Sequence, residues 1–316
     1  MRVIVTGGAG FIGSHVVEAL LARGDEVHVL DNLSTGRRDN VPGEATLHEA
    51  DIRTDSAAVF ADVRPEACFH LAAQADVRVS VERPAFDADV NVLGTIRVLE
   101  AARERGTTVT FSSTGGAIYG EVDGPASEDA PRRPLAPYGT AKLAAEEYLA
   151  TYNRLYGTRH AVVRYANVYG PRQQASLEGG VVAIFMRQLA GDETPRIFGD
   201  GEQTRDFVYV SDVAEATLRA HSSGGGVFNV GTGVETSVNE LYEAVRGVAR
   251  VDRDSEYAPP RPGEIKRSVL DVRRAERELD WRPRQTLEQG LAATWAWASG
   301  ELELQPPRGP DTGRPS

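Results

Sequence analysis

Arg2-Val3-Ile4-Val5-Thr6-Gly7-Gly8-Ala9-Gly10-Phe11-Ile12-Gly13 opens the chain, and Ser14 to Arg23 follow with Val16, Val17, Leu20 and Leu21 at helical spacing. The β-branched run is the length of a buried parallel strand, so the order is strand, glycine-rich turn, helix. Glycines at 7, 10 and 13 let backbone approach a pyrophosphate, whose charge then sits at the helix N-terminus. The spacing is Gly-x-x-Gly-x-x-Gly rather than the Gly-x-Gly-x-x-Gly of the usual dinucleotide fingerprint. A second strand, Glu26-Val27-His28-Val29-Leu30, runs into Asp31. An acid about 20 residues beyond the loop is placed to bind the adenosine ribose hydroxyls and to repel a 2′-phosphate. These residues favour NAD over NADP; Arg37 and Arg38 are the counter-evidence.

Outward from this unit, strands and helices alternate, the mark of a doubly wound α/β fold with a parallel sheet and helices on both faces. Leu47 to Ala50 leads into Asp51-Ile52-Arg53, where the Asp51 side chain can meet an adenine amino group. Ala67 to Leu71 reads as a strand ending in His70-Leu71-Ala72-Ala73-Gln74, small residues where open α/β sheets bind ligands. A helix with Val90, Leu93, Ile96, Val98 and Leu99 comes next, then the strand Val109 to Thr114 and the strand Ala161 to Tyr165. Between those two strands stands Tyr138-Gly139-Thr140-Ala141-Lys142. Lys142 is one of two lysines against 33 arginines, so an ammonium has been kept where this chain otherwise writes guanidinium. Residues i and i+4 share a helix face, and an ammonium beside a phenol lowers its pKa, which would make Tyr138 a base at neutral pH.

Composition bounds the rest. With 41% hydrophobic and 26% charged residues the chain is an ordinary globular one, and its net charge of −11 argues against a general nucleic-acid or membrane surface. Cys68 stands alone in an apolar run and reads as a buried thiol. The six histidines are scattered, with no metal-ligand cluster expected. The chain begins directly in its first strand and has no apolar stretch long enough for a bilayer, so a cytoplasmic location is expected. Leu304 to Ser316, rich in Pro, Gly and Arg, reads as a disordered tail.

Taken together, these stretches resemble the extended short-chain dehydrogenase/reductase enzymes that act on nucleotide sugars, most closely the UDP-glucose 4-epimerases. The likeness is carried by Thr6 to Gly13, Asp31-Asn32-Leu33-Ser34-Thr35-Gly36, His70 to Gln74, Ser112 to Gly120 and Pro137 to Lys142. It continues through Arg164 to Arg172, Arg205 to Val210, Phe228-Asn229-Val230-Gly231 and Arg261-Pro262-Gly263-Glu264, covering roughly residues 1 to 297.

The resemblance implies an NAD-binding Rossmann domain over 1–170, to which later segments return. It also implies a smaller interleaved α/β cap for the nucleotide sugar over 171–303, and a homodimer formed by helices near Asp89 to Arg105 and Tyr138 to Tyr156. NAD would rest on Gly7, Gly10, Phe11, Ile12, Gly13, Asp31, Asn32, Ser34, Thr35, Gly36, Asp51 and Ile52. Leu71, Ala72, Ala73, Gln74, Asn91, Ser112, Tyr138, Lys142 and Tyr165 would complete its site. In the implied reaction Tyr138 takes the proton of the sugar 4-hydroxyl as C4 gives its hydride to the nicotinamide. Lys142 holds the nicotinamide ribose, and Thr114, or Ser113 in a shifted register, hydrogen-bonds the same hydroxyl. The 4-keto sugar turns, and the hydride returns to its other face.

For the UDP-sugar, the resemblance implies Asn167 at the diphosphate, Val181, Val182 and Phe198 about the uracil, and Arg205 and Arg261 on the phosphates. Glu264 would bind the uridine ribose. Ser268 occupies the position beside the sugar 2-substituent, and so small a residue would leave room for an N-acetyl group. Gly115 and Gly116 stand where 4,6-dehydratases carry an acid/base pair, which argues against dehydration. Arg78 keeps a uronate 4-epimerase in view, and a non-catalytic NAD-binding sensor is the reading from another class.

Overall fold

The computed structural model describes residues 1–175, 180–191, 193–260 and 265–303. Seven parallel strands form its central sheet, in the order Gly226–Val230, Ala161–Tyr165, Thr108–Thr114, Ala67–His70, Arg2–Thr6, Glu26–Asp31 and Thr46–Glu49. Successive side chains of the first strand serve opposite faces. Val3 and Val5 pack with Val16, Val17 and Leu20 of the helix Phe11–Ala22, while Ile4 packs with Phe60, Val98 and Phe111 on the other side. Both faces are covered, so the strand is apolar without alternation. The helices Phe11–Ala22 and Val210–Ser222 lie on one face, and Ser56–Val63, Gly94–Arg105 and Pro137–Tyr156 on the other.

One expected helix is irregular. The apolar spacing predicts a regular helix entering Gly94–Arg105, but Asp89–Leu93 forms a wider π-helical turn after the short helix Pro84–Ala88. Such turns occur mostly as single insertions and often at functional sites. Here the turn carries Asn91, which is buried and bonded to the strand-end residue Gln74.

The chain beyond the strand Ala161–Tyr165 supplies a second layer. Tyr169, Val182, Phe185, Met186, Leu189, Leu241, Val245 and Leu291 form a separate apolar cluster from the helices Val181–Ala190, Val238–Ala249 and Leu287–Glu303. Short strands fasten it: Phe207–Tyr209 beside Asn167–Tyr169, and Thr204–Arg205 between Thr236–Ser237 and Arg267–Ser268. Residues Val210–Ser222 and Gly226–Val230 return to the main sheet, so the two layers are interleaved in sequence. The segment Leu304 to Ser316 lies outside the described residues. Among the described residues no helix is long and apolar enough to cross a membrane.

Candidate active site

The glycine loop is held by contacts that exclude side chains. Gly7 has a φ of +71°, and a Cβ there would lie 2.6 Å from the backbone nitrogen of Ala72. A Cβ on Gly13 would lie 2.1 Å from the Gly7 carbonyl oxygen. Gly10 is different, because its Cβ direction meets only the Gly7 oxygen at 3.2 Å. The helix that begins at Phe11 has no acidic residue in its first turn, and its first backbone N–H groups have no intrahelical acceptor. That donor set and the helix dipole suit a pyrophosphate, so these residues fit the cofactor expected from sequence.

Asp31 is buried, and burial raises its pKa against the pull of two backbone donors, Ala9 N–H and Leu33 N–H, each at 2.9 Å. Leu33 adopts a φ of +56°, a left-handed conformation that brings its N–H back to the acid. Asn32, Ser34 and Thr35 are exposed on the same turn, and Gly36 packs against Ala9 and the Asp31 carboxylate. Arg38 ion-pairs with Glu49. Asp51 is engaged as well: Arg53 binds both its carboxylate oxygens, Asn32 donates to it at 3.0 Å, and the guanidinium holds its carboxyl far below the usual range. Ile52 is a core residue packed against Gly94.

At the strand ends, a chain of hydrogen bonds runs through the core. Ala72 N–H donates to Thr6 Oγ1, which lies 2.6 Å from His70 Nδ1, and His70 Nε2 lies 3.0 Å from Thr95 Oγ1. Thr95 donates to the Asn91 carbonyl at 2.7 Å, so its oxygen must accept from His70 Nε2–H. His70 is therefore the neutral Nε2–H tautomer, and burial first, then Lys142, holds its pKa down to about 3. The relay ties Leu71 to Gln74 to the Asn91 turn. Sequence reasoning passed over Thr6, His70 and Thr95 as binding elements, although their hydroxyls and imidazole in apolar runs were a visible signal.

Thr114, Tyr138 and Lys142 come from the strand Thr108–Thr114 and the helix Pro137–Tyr156. Lys142 is buried, donates to the Ser112 carbonyl at 2.9 Å and lies 4.7 Å over the Phe111 ring. Burial lowers its pKa to about 8, opposed by Asp87 and Glu146. The phenol behaves otherwise than the sequence suggests. Burial, then the negative charge of Asp87, pushes Tyr138 above the usual tyrosine value. The ammonium is turned to a carbonyl and a ring, so its proximity along the helix does not by itself produce a neutral-pH base.

Strand alternation separates the two candidate hydroxyls. Ser113 is buried and donates to Glu146, which belongs to a buried ion pair with Arg164. Thr114 is partly exposed, accepts from Ala117 N–H at 3.2 Å as a helix cap, and keeps its own proton free to donate. A Cβ on Gly116 would stand 4.0 Å from Thr114 Oγ1 and 3.6 Å from Asn167 Oδ1, so these groups border one space. Asn167 Oδ1 is buried without a hydrogen-bond partner among the described residues.

Not every expected residue lies in that space. The Tyr165 hydroxyl points to Thr217 at 2.8 Å on the sheet's other face, leaving only its backbone toward the strand ends. Val182 is buried in the second layer's apolar cluster, whereas Val181 and Phe198 are partly exposed. Arg205 and Ser268 are register partners in one strand pair, with Ser268 buried and Arg205 partly exposed. Arg261 and Glu264 lie outside the described residues. Arg78 is largely exposed and sits 3.7 Å from Asp76. Among the described residues no three potential metal ligands gather. One contact the sequence did not disclose fastens the segment after Tyr169 to the helix Phe11–Ala22: Arg172, at φ +70°, pairs with Glu18 and bonds His15 Nδ1.

A glycine loop at a helix N-terminus, an acid ending the second strand, and a Tyr-Lys helix beside a strand-end threonine define a nucleotide-binding oxidoreductase-type site. The family model of the NAD dependent epimerase/dehydratase family matches residues 3–231, and the chain belongs to that family. A UDP-glucose 4-epimerase of Mycolicibacterium smegmatis is 47% identical over 304 residues, covering 93% of this chain and 97% of its own length. The UDP-glucose 4-epimerase of Thermotoga maritima, solved with UDP-glucose, is 45% identical with a TM-score of 0.93, covering 96% of this chain and all of that one. That of Thermus thermophilus, solved with NAD, is 46% identical with a TM-score of 0.91, covering 95% and 99%.

Proposed function

We propose that this protein catalyses the NAD-dependent interconversion of UDP-hexoses epimeric at C4, UDP-glucose and UDP-galactose first among them. What supports the reading is that Thr114 and the Asn167 oxygen border one space, while Lys142, one turn along its helix from Tyr138, bonds the Ser112 carbonyl near the end of the Thr114 strand. Bound NAD supplies the hydride acceptor and a positive ring that favours the phenolate. Tyr138 takes the 4-hydroxyl proton and returns it, Thr114 donates to the same oxygen, and Lys142 keeps a positive charge beneath both. Since the proton and hydride both return to the sugar, no net redox change occurs.

Arg205 and Arg261 serve the diphosphate, Asn167 accepts from the nucleotide or sugar, and Glu264 takes the uridine ribose. Ser268, beside Arg205 in its strand pair, leaves room at the sugar 2-position, so UDP-N-acetylhexosamines are substrates as well. Two copies pair through the helices bearing Leu93, Tyr148, Leu155 and Tyr156, large apolar side chains that one chain leaves exposed. Sedimentation should give twice the chain mass.

The decisive experiment incubates purified protein with UDP-galactose, UDP-GalNAc and UDP-galacturonate separately, without added NAD, and identifies products by chromatography. Conversion of the first two is expected. Conversion of UDP-galactose alone removes the reading of Ser268, and conversion of the uronate alone overturns the hexose assignment.

A further inference from the structure

One buried charge near the pair takes no part in that chemistry. Asp87 is 1% exposed on the helix Pro84–Ala88, which packs against the helix of Tyr138 and Lys142. Its Oδ1 accepts from Gln74 Nε2 and Asn91 Nδ2, both at 2.9 Å. Its Oδ2 is buried and has no hydrogen-bond partner among the described residues. A carboxylate in that position costs stability, because a buried anion is tolerated when its oxygens are satisfied. Residues Asp87, Pro137, Thr140 and Ala141 line a cleft of about 440 Å³ that separates the two helices.

We propose that Asp87 is a positioning residue for the Tyr138–Lys142 pair, a negative charge that clamps Gln74 and Asn91 with one oxygen and acts on the pair across the contact of their two helices. This rests on the functional reading of Tyr138 and Lys142. The charged groups around Asp87 assign its direction of action. From the facing helix come Tyr138 and Lys142, with Glu146 one turn further along. Asp76 lies on the Gln74 segment; Arg83 precedes Asp87 and is engaged with the Phe86 ring, while Asp89 pairs with Arg53. Lys142 is the buried cation among them: burial raises the Asp87 carboxyl, and the Gln74 and Asn91 bonds and Lys142 work against that rise, as Asp87 works against the fall at Lys142. Toward the phenol the same charge is repulsive, so it holds the proton on Tyr138 until positive charge enters the site. The clamp and the field act together: Gln74 and Asn91 are fixed at the strand end where the cofactor is expected, and the phenol on the facing helix keeps its proton.

The test separates clamp from charge. Asp87→Asn keeps an oxygen to accept from Gln74 and Asn91 but removes the charge, whereas Asp87→Ala removes both. On NAD-loaded protein, tyrosinate absorbance is titrated in each background with and without Tyr138→Phe, and the difference reads Tyr138 alone without substrate. Asp87→Asn should move that titration, and both limbs of the kcat profile, to lower pH by about one unit, about tenfold in rate on the acid limb. Its NAD content should match the parent protein, while Asp87→Ala should lose NAD. If the Tyr138 titration of Asp87→Asn superimposes on the parent's, Asp87 is a structural clamp and the proposal is wrong. Failure of the parent to turn over UDP-sugars would instead strike the functional reading, leaving the titration to decide this one.

Discussion

Two charge clusters share the helix Pro137–Tyr156, one turn apart. Around Glu146 the groups are paired: Arg164 binds both carboxylate oxygens, Ser113 adds a hydroxyl, and the remaining guanidinium donors reach the Tyr119 hydroxyl at 2.7 Å and the Glu128 carbonyl at 2.9 Å. Tyr119 donates to Asn229 Oδ1, whose amide caps the Ala126 and Asp271 carbonyls. Toward Lys142 the pattern is incomplete: Asp87, on the helix packed against it, has an oxygen with no partner among the described residues, and so does Asn167 across from Thr114. A buried network with its donors and acceptors matched makes a rigid scaffold; one with gaps awaits a ligand. The same helix thus carries a strut on one turn and the proposed reaction site on the next.

The comparison breaks most visibly at the open cluster. Tyr138→Phe should reduce kcat by about 10²–10⁴ while NAD content and melting temperature stay close to the parent's, which product chromatography and denaturation would read. Arg164→Met should do the opposite. It leaves the Glu146 carboxylate buried and unpaired, costing about 3–5 kcal/mol in urea unfolding, and adding Glu146→Leu should recover much of that loss. If Arg164→Met leaves stability unchanged, the closed cluster is no strut.

Thr114 and Ser113 sharpen the contrast at single-atom scale. Thr114→Val should lower kcat about ten- to hundredfold through the lost donor, with about 1 kcal/mol of stability from the lost cap. Ser113→Ala should touch stability through Glu146 and leave kcat within a few-fold. Reversal of the two kinetic effects would move the catalytic hydroxyl to Ser113.

The smallest effect concerns pH. Burial holds His70 at about 3 and His160 at about 4, below the ordinary value of 6.5. The fold therefore binds fewer protons than the unfolded chain between those values, and the stability they contribute is full above 6.5 and lost as pH falls toward the folded values. Urea midpoints should decline from pH 7 to pH 5, and His70→Gln should flatten that decline by on the order of 1–2 kcal/mol. An unchanged slope would mean that His70 is not neutral as its hydrogen bonds require.

Much of this was legible in the residues. The strands, the glycine loop, Asp31 and the Tyr-Lys helix follow from patterns a few residues long, because apolar periodicity, glycine conformation and i,i+4 spacing are local. The residues that resisted were those whose role depends on which side chains meet them in the fold. Asp51 and Tyr165 sit where the sequence expects cofactor contacts, yet Arg53 occupies the first and Thr217 draws the second's hydroxyl across the sheet. Val182 belongs to an apolar cluster that its own helix does not reveal.

By itself, then, the sequence determined a parallel α/β fold, the glycine loop and the helical pair of residues proposed to carry the chemistry. Only the tertiary structure decided which groups are satisfied: that Ser113 is bound to Glu146 while Thr114 is free to donate, and that Asp87, on a helix packed against that of Tyr138, keeps a buried oxygen with no partner among the described residues. The reason is one of range. Backbone conformation and periodicity are written over neighbouring residues, whereas desolvation and charge depend on what other segments bring to within a few ångströms.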